Sequence, residues 1–325
     1  MGVTQPRTKQ SPWKKIREIQ NRFPLSTLFL VIIAMWVILA ILSPYFFTYH
    51  NMFNLARQTA VTAILSVGMT FVIISGGIDL SVGSIVGVSS VLVSLLMVNG
   101  WPISLAILVT LLISCILGLI TGVAIYDAKV PPFIATLGMM SAARGVALML
   151  SQGRTITNIP RPFTQFAQST VLGVPSLFIV SVVVAIVGIF ILNRTQFGRN
   201  VYAIGSSKEV ARLSGINMRL NTYGIYVLSA ALSSLAGILM TSRLASGIPT
   251  SGQGDEMDAI ASVVIGGASL AGAEGSILGT MIGALIMATL RNGFNLLGID
   301  PFWMRIAIGI LIVLAVFVDQ FRKND

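Results

Sequence analysis

Ten apolar runs dominate this chain of 325 residues, near 25–43, 55–75, 82–98, 103–125, 133–150, 176–193, 222–243, 257–271, 275–291 and 303–319. A helix needs about 20 apolar residues to cross a bilayer core, so ten runs leave room only for loops and short tails. Charged residues make up 10 % of the chain, whereas soluble domains carry about 25 %. This argues against a water-soluble enzyme. The expected fold is an all-α polytopic membrane protein of about ten transmembrane helices. Several runs follow proline breaks, at Trp101-Pro102, Pro131-Pro132, Val174-Pro175 and Asp300-Pro301. Proline removes a backbone donor and disfavours helix in the residue before it, so these breaks are natural helix starts.

The net charge is +10, from 21 Lys and Arg against 11 Asp and Glu. A basic chain can bind nucleic acid, but placement favours a membrane topology signal here and no nucleic-acid partner. Six basic residues fall before position 23, and five more, Arg194, Arg199, Lys208, Arg212 and Arg219, lie in one segment. With a cytoplasmic N-terminus and ten crossings, fourteen basic residues fall inside and six outside, as the positive-inside rule requires. Both termini are then cytoplasmic, with tails at 1–24 and 320–325 around a transmembrane domain at 25–319. The 194–221 loop also lies inside. The first apolar run lacks a signal-peptide cleavage site and is read as a retained span. Arg144 alone among the basic residues falls within a span. With one Cys and one His, neither a disulfide framework nor a metal site is expected.

Two stretches echo one another. Gly76-Gly77-Ile78-Asp79-Leu80-Ser81-Val82-Gly83-Ser84-Ile85-Val86-Gly87 and the run from Gly266 to Gly279 both carry Gly-Gly-x-x-Leu followed by Gly-Ser-Ile-x-Gly. Duplicated halves with glycine-interrupted hydrophobic segments mark the substrate path of many transporters. Glycine packing between membrane helices, with Gly275, Gly279 and Gly283 on one face, is the alternative. A Gly-Gly break frees backbone groups at membrane depth, which only protein or a water-filled cavity can satisfy. The candidate translocation path is therefore Ser75, Gly76, Gly77, Asp79 and Ser81 with Gly266, Gly267 and Ser269. Asp79 serves either as a hydrogen-bonding group on that route or, like Ser81, as a cap for the helix that follows.

The basic 194–221 segment carries helix punctuation. Ser206 with Glu209 three residues later reads as a capping box. Gly215 reads as a stop, with Arg212 favourably placed in the last turn. A helix of about eight residues is expected, with Val210 and Leu213 on one face. Such a helix is too short to stand alone and suits docking onto a soluble partner. A basic loop against anionic lipid would leave the caps unexplained.

These residues resemble the permease subunit of bacterial ABC sugar importers of the ribose, xylose and autoinducer-2 type. The runs at 76–84, 131–138, 198–205, 211–216 and 266–279 carry the resemblance, which covers about residues 45–320. It implies a multi-pass inner-membrane permease working as a homodimer with a cytoplasmic ATPase and an external sugar-binding protein. ATP and Mg would then sit on the ATPase, with no cofactor in this chain and ribose the leading substrate. The segment matching 198–216 would be the coupling helix, so Gly198, Arg199, Tyr202, Gly205, Ser206, Glu209, Ala211, Arg212, Leu213 and Gly215 are the expected ATPase-coupling residues. The acidic cluster Asp255, Glu256 and Asp258, read as external together with the 243–254 loop, is the expected contact with the binding protein, or else a solvated helix start.

The residues agree on the source of energy, because the chain contains no Gly-x-x-x-x-Gly-Lys loop to cradle ATP phosphates. Three rivals stand beside this reading. An ion-coupled secondary transporter would want carboxylates deep in the spans, where Asp79 is the main candidate. An intramembrane aspartyl protease would pair Asp79 with Asp127. A permease for a nucleoside or branched-chain amino acid would share most of the features above.

Overall fold

A computed structural model describes residues 24–324; the basic tail expected at 1–24 lies almost wholly outside them. The chain is built of helices α1 (Pro24–Leu42), α2 (Tyr49–Ile74), α3 (Val82–Val98), α4 (Ile103–Tyr126), α5 (Pro132–Ser151) and α6 (Arg161–Gln168). A two-stranded hairpin follows, β1 (Thr170–Val171) with β2 (Val174–Pro175). Then come α7 (Ser176–Arg194), α8 (Gln196–Ser206), α9 (Lys208–Leu213), α10 (Met218–Leu244), α11 (Asp255–Ile265), α12 (Ile277–Leu296) and α13 (Pro301–Asn324). The end of the bundle where α2 and α7 finish and α10 begins is called here the lower end.

Every apolar run falls on a helix, and each of the four proline breaks sits at a helix start. Six helices, α2, α4, α5, α7, α10 and α12, are long and apolar enough to cross a membrane. Three apolar segments are shorter, within α1, α3 and α13, and α11 has only 11 residues. The run at 257–271 is cut short because Gly266-Gly267 ends α11. The Gly267 and Ala268 amides return to the carbonyls of Val264 and Val263, with Gly267 at φ +92°, the Schellman pattern of helix termination.

Burial separates the interior from the periphery. In the most apolar window, α2 is 83 % buried, whereas α4 is 22 % and α5 17 % buried. Leu105, Leu108, Leu112, Ile116 and Ile120 form an exposed stripe on α4, the face such a helix turns to lipid. Its other face sets Gly118 and Gly122 against Tyr226 and Tyr223 of α10, a small-residue contact that lets two membrane helices approach closely. Higher in the same seam, Ser89 of α3 bonds Ser114 of α4 at 3.1 Å and Ser234 of α10 at 2.9 Å. Asn51 of α2 and Asn292 of α12 exchange side-chain amide bonds at 3.0 and 2.7 Å.

Two helices start inside the bundle. After α2 ends, residues 75–81 turn back and climb: Ile78 accepts a bond from Thr136, about 6 Å up α5, and Asp79 one from Ser229, about 16 Å up α10. There α3 begins and continues upward. After α10 ends above, residues 245–254 turn back and descend along α3, from Gly247 beside Ser94 to Gly252 beside Gly83. There α11 begins and continues downward. The two half-helices thus run in opposite directions with their starts together, an inverted arrangement of the kind found in transporters.

This pair is not the one that the sequence echo suggests. In the first copy Gly76 adopts the left-handed stop, at φ +75°, and in the second it is Gly267, a shift of one position. Ser276 caps α12 by accepting from Gly279 N–H, whereas Ser84 lies inside α3. Gly266 packs on Gly279, and Gly283 on the Ser262 carbonyl. Glycine packing therefore accounts for the second copy.

Candidate functional site

At the lower end both breaks meet the basic segment. The first opens with a Schellman stop, Gly76 and Gly77 amides bonding the Ile73 and Val72 carbonyls, each at 2.9 Å. Beyond it Asp79, 1 % exposed, gathers the chain. Its Oδ1 accepts from the Ser81 amide at 2.9 Å and the Ser81 hydroxyl at 2.6 Å, and its Oδ2 from the Ser229 hydroxyl at 2.7 Å. The first contact is an Asx turn, in which an aspartate oxygen stands in for a backbone acceptor. Ser81 precedes α3 without capping it through its side chain, so Asp79 fixes the helix entry and ties it to α10. The Asp127 carboxylate belongs to another cluster, bonded by Tyr223 and paired with Arg219 at 3.1 Å. The two aspartates hold separate partners on α10 and form no catalytic dyad.

The second break folds on itself, with the Ser269 and Gly272 amides bonding the Glu274 and Ser269 carbonyls. Its Ala273 amide donates to the Ile74 carbonyl, the last of α2, at 2.9 Å. The two breaks are thus joined by a single backbone hydrogen bond.

The basic segment is two helices rather than one. Thr195 caps α8 through Gly198 N–H, and the cap of α9 is Ser207, not Ser206. Ser206 is the last residue of α8, whereas Ser207 is extended (φ −162°, ψ 115°) and accepts from Val210 N–H. At the other end Gly215, φ +82°, completes a Schellman stop with Ile216, as expected from the sequence. The helix is six residues long, Lys208–Leu213.

Of the expected coupling residues, Gly198, Tyr202, Gly205 and Ala211 face inward. A side chain at Gly198 would overlap the Leu192 carbonyl, which makes the tight turn from α7 to α8 possible only with glycine. Tyr202 donates its hydroxyl to the Gly275 carbonyl at 2.8 Å. Gly205 lies directly on the Ile74 carbonyl and the Ala273 amide, which places α8 on the bond joining the two breaks. Arg199, Ser206, Glu209, Arg212, Leu213 and Gly215 are exposed. Val210 and Leu213, 61 % and 76 % exposed, form an apolar pair on the outward face of α9.

A cavity of about 730 Å³ opens between the first break and this segment, lined among others by Gly76, Gly77, Tyr126, Lys129, Arg212 and Tyr226. Of the path residues of the first break, Ser75, Gly76 and Gly77 line it, whereas Asp79 and Ser81 do not. Gly266, Gly267 and Ser269 do not line it.

The acidic cluster turns inward. Asp258 is 2 % exposed and ion-paired with Arg291 of α12, which also approaches Asp255 at 3.6 Å. Asp255 and Glu256 remain part-exposed. Sequence reasoning missed Ile74, Ala273 and Ser229 and read the 245–254 segment as part of an external loop; all of them act through contacts between distant parts of the chain. Their one legible signal was Arg144, a charge within a span.

Half-helices with buried starts, serine-lined helix seams and an exposed short helix at one end define a membrane transport subunit, and residues 51–316 match the family model described as branched-chain amino acid transport system / permease component. The chain belongs to this family of permeases. Among curated relatives, the ribose import permease protein of Bacillus subtilis is 44 % identical over 307 residues, spanning 94 % of each chain. That of Escherichia coli K12 is 42 % identical over 299 residues, 90 % of this chain and 93 % of its own. The xylose transport system permease protein of the same strain is 35 % identical over 337 residues, 85 % of this chain and 86 % of its own. No solved structure matches significantly. The resemblance to permeases of bacterial ABC sugar importers is borne out, and the chain is a multi-pass inner-membrane protein.

Proposed function

We propose that this chain is the membrane-spanning subunit of an ATP-driven ribose importer, in which two copies work with a cytoplasmic ATPase and an external sugar-binding protein. The observation that carries this reading is 42–44 % identity to ribose import permeases over nine-tenths of the chain. A neutral sugar needs hydrogen-bonding groups rather than a fixed counter-charge, in keeping with an interior rich in buried serine and threonine. The arginine-rich 194–221 segment supports a cytoplasmic lower end by the positive-inside rule, and ten crossings would then bring both termini to that side.

In this mechanism α9 meets the ATPase, with ATP and Mg held by that partner. Strokes of the motor pass through α8 and Gly205 to the bond between Ile74 and Ala273. Both breaks then shift together, and Gly76 and Gly77 change the shape of the cavity through which sugar leaves. Co-reconstitution with the cognate ATPase and binding protein tests the substrate and the energy source: ATP-dependent uptake of labelled ribose is expected, with xylose at least tenfold poorer. Uptake driven by a proton or sodium gradient without the ATPase overturns the proposal. Val210→Ser with Leu213→Ser removes the apolar pair, so the expected result is at least a tenfold weaker grip on the ATPase in pull-down titrations, with the chain still inserted.

A further inference from the structure

Arg144, the basic residue that the sequence left within a span, reaches the meeting point of the two half-helices. It stands about 18 Å up α5 and is half-buried. Its Nη1 donates to the Pro249 carbonyl at 2.6 Å and the Ser251 carbonyl at 2.9 Å, and its Nη2 to the Gly83 carbonyl at 3.1 Å. One guanidinium thus joins α5, the descending 245–254 segment and the first turn of α3. The planar fork of arginine suits this work, presenting fixed donors to several oxygens at once.

The glycines of the first motif make room for it. A side chain at Gly87 would stand 2.5 Å from Arg144 Nη1 and 2.9 Å from the Pro249 carbonyl. One at Gly83 would overlap the Gly252 carbonyl and the Glu256 carboxylate. The spacing of Gly83 and Gly87 therefore serves the irregular segment and its arginine. Without such donors the carbonyls of Pro249 and Ser251 would be left at membrane depth, where an orphaned group costs several kcal/mol.

We infer that Arg144 is a positioning residue for transport: it pins the re-entrant 245–254 segment against the start of α3, and release of that pin opens the path between the two half-helices. This rests on the transport function proposed above. The 245–254 segment lies on α3 without a helix of its own, with Gly247, Pro249, Ser251 and Gly252 buried. It is joined to its neighbours by a few polar bonds, including Ile248 N–H to Ser90 at 3.2 Å and a bridge between Gly247 and Ile156. Ser251, 5 % exposed, reports its position, since opening would bring that side chain to water.

The test uses the assembled complex in proteoliposomes, with Cys115→Ser as background and Ser251→Cys as reporter toward an impermeant maleimide added outside. Slow labelling at rest is expected, and labelling at least tenfold faster during ATP turnover with ribose-loaded binding protein. Arg144→Gln should label at the fast rate without turnover and lose at least tenfold in uptake per assembled complex. Gly87→Ala, which leaves the arginine in place but occupies its berth, should do the same, and Arg144→Lys should recover part of both. Unchanged labelling in Arg144→Gln and Gly87→Ala overturns the inference. So does equal labelling at Ser66→Cys, buried in α2, which would report general loosening. A complex that carries no ribose yet shows the Arg144-dependent labelling overturns the substrate and leaves the pin standing.

Discussion

Replacing Gly205 by alanine is expected to lower ribose uptake at least tenfold while the chain stays inserted and the complex assembled. The single added carbon would overlap the Ile74 carbonyl oxygen and lie 2.6 Å from the Ala273 nitrogen. Both are backbone atoms, so no side-chain rotation relieves the clash, and overpacking of this kind costs about 1–3 kcal/mol. The strain is relieved by lifting α8 away from the end of α2, the contact through which a push on α9 reaches the breaks. ATP hydrolysis should therefore continue without matching transport. Gly215→Ala is the comparison. That glycine has φ +82° with open space around it, so alanine there costs about 1 kcal/mol of backbone strain and should lower uptake far less. Uptake and ATPase activity measured at equal permease content decide the matter, and a Gly205→Ala complex transporting within twofold of wild type refutes the coupling route.

Asp79→Ala should be nearly as damaging for a different reason. It strips the acceptor from the Ser81 amide, the Ser81 hydroxyl and the Ser229 hydroxyl, all buried. Each unsatisfied buried group costs about 1–3 kcal/mol. The loss falls on the entry to α3, whose position inside the bundle depends on that tether. Asp79→Asn keeps an oxygen for Ser81 and offers an amide to Ser229, which can accept, so it should retain most of the uptake. An alanine variant that loses at least tenfold beside an asparagine variant within about threefold assigns the residue to hydrogen bonding. Equal loss in both would assign its role to the negative charge, as an ion-coupled route requires. Thermal unfolding of the two variants separates either result from simple collapse.

Much of this was readable in the residues because it depends on local chemistry. Proline marks the starts of α4, α5, α7 and α13, and Gly215, Gly76 and Gly267 mark stops because a left-handed residue must follow a Schellman end. The shift of the α9 cap from Ser206 to Ser207 was beyond reach: both serines offer an oxygen, and the choice turns on where α8 ends. The inverted pairing was hidden for a stronger reason. Residues 245–254, rich in serine and glycine, read as an outer loop, and partners more than ninety positions earlier, Arg144 of α5 with Ser90 and Ile156, draw them into the bundle. The inward turn of Asp255 and Asp258 likewise depends on Arg291, which arrives on the next helix.

The shortness of α11 bears on how the chain enters the bilayer. Its 11 residues reach about 16 Å, roughly half of a hydrocarbon core, so an insertion machinery that tests segments one at a time would not retain it. The bare peptide groups before it need shelter from lipid, and the walls that give it, α3 and α5, are synthesised first. The C-terminal third must therefore settle into a receptacle that the N-terminal part has already built, with α11 and α12 entering as one hairpin. Chains lacking α3 to α5 would leave that hairpin stranded at the surface.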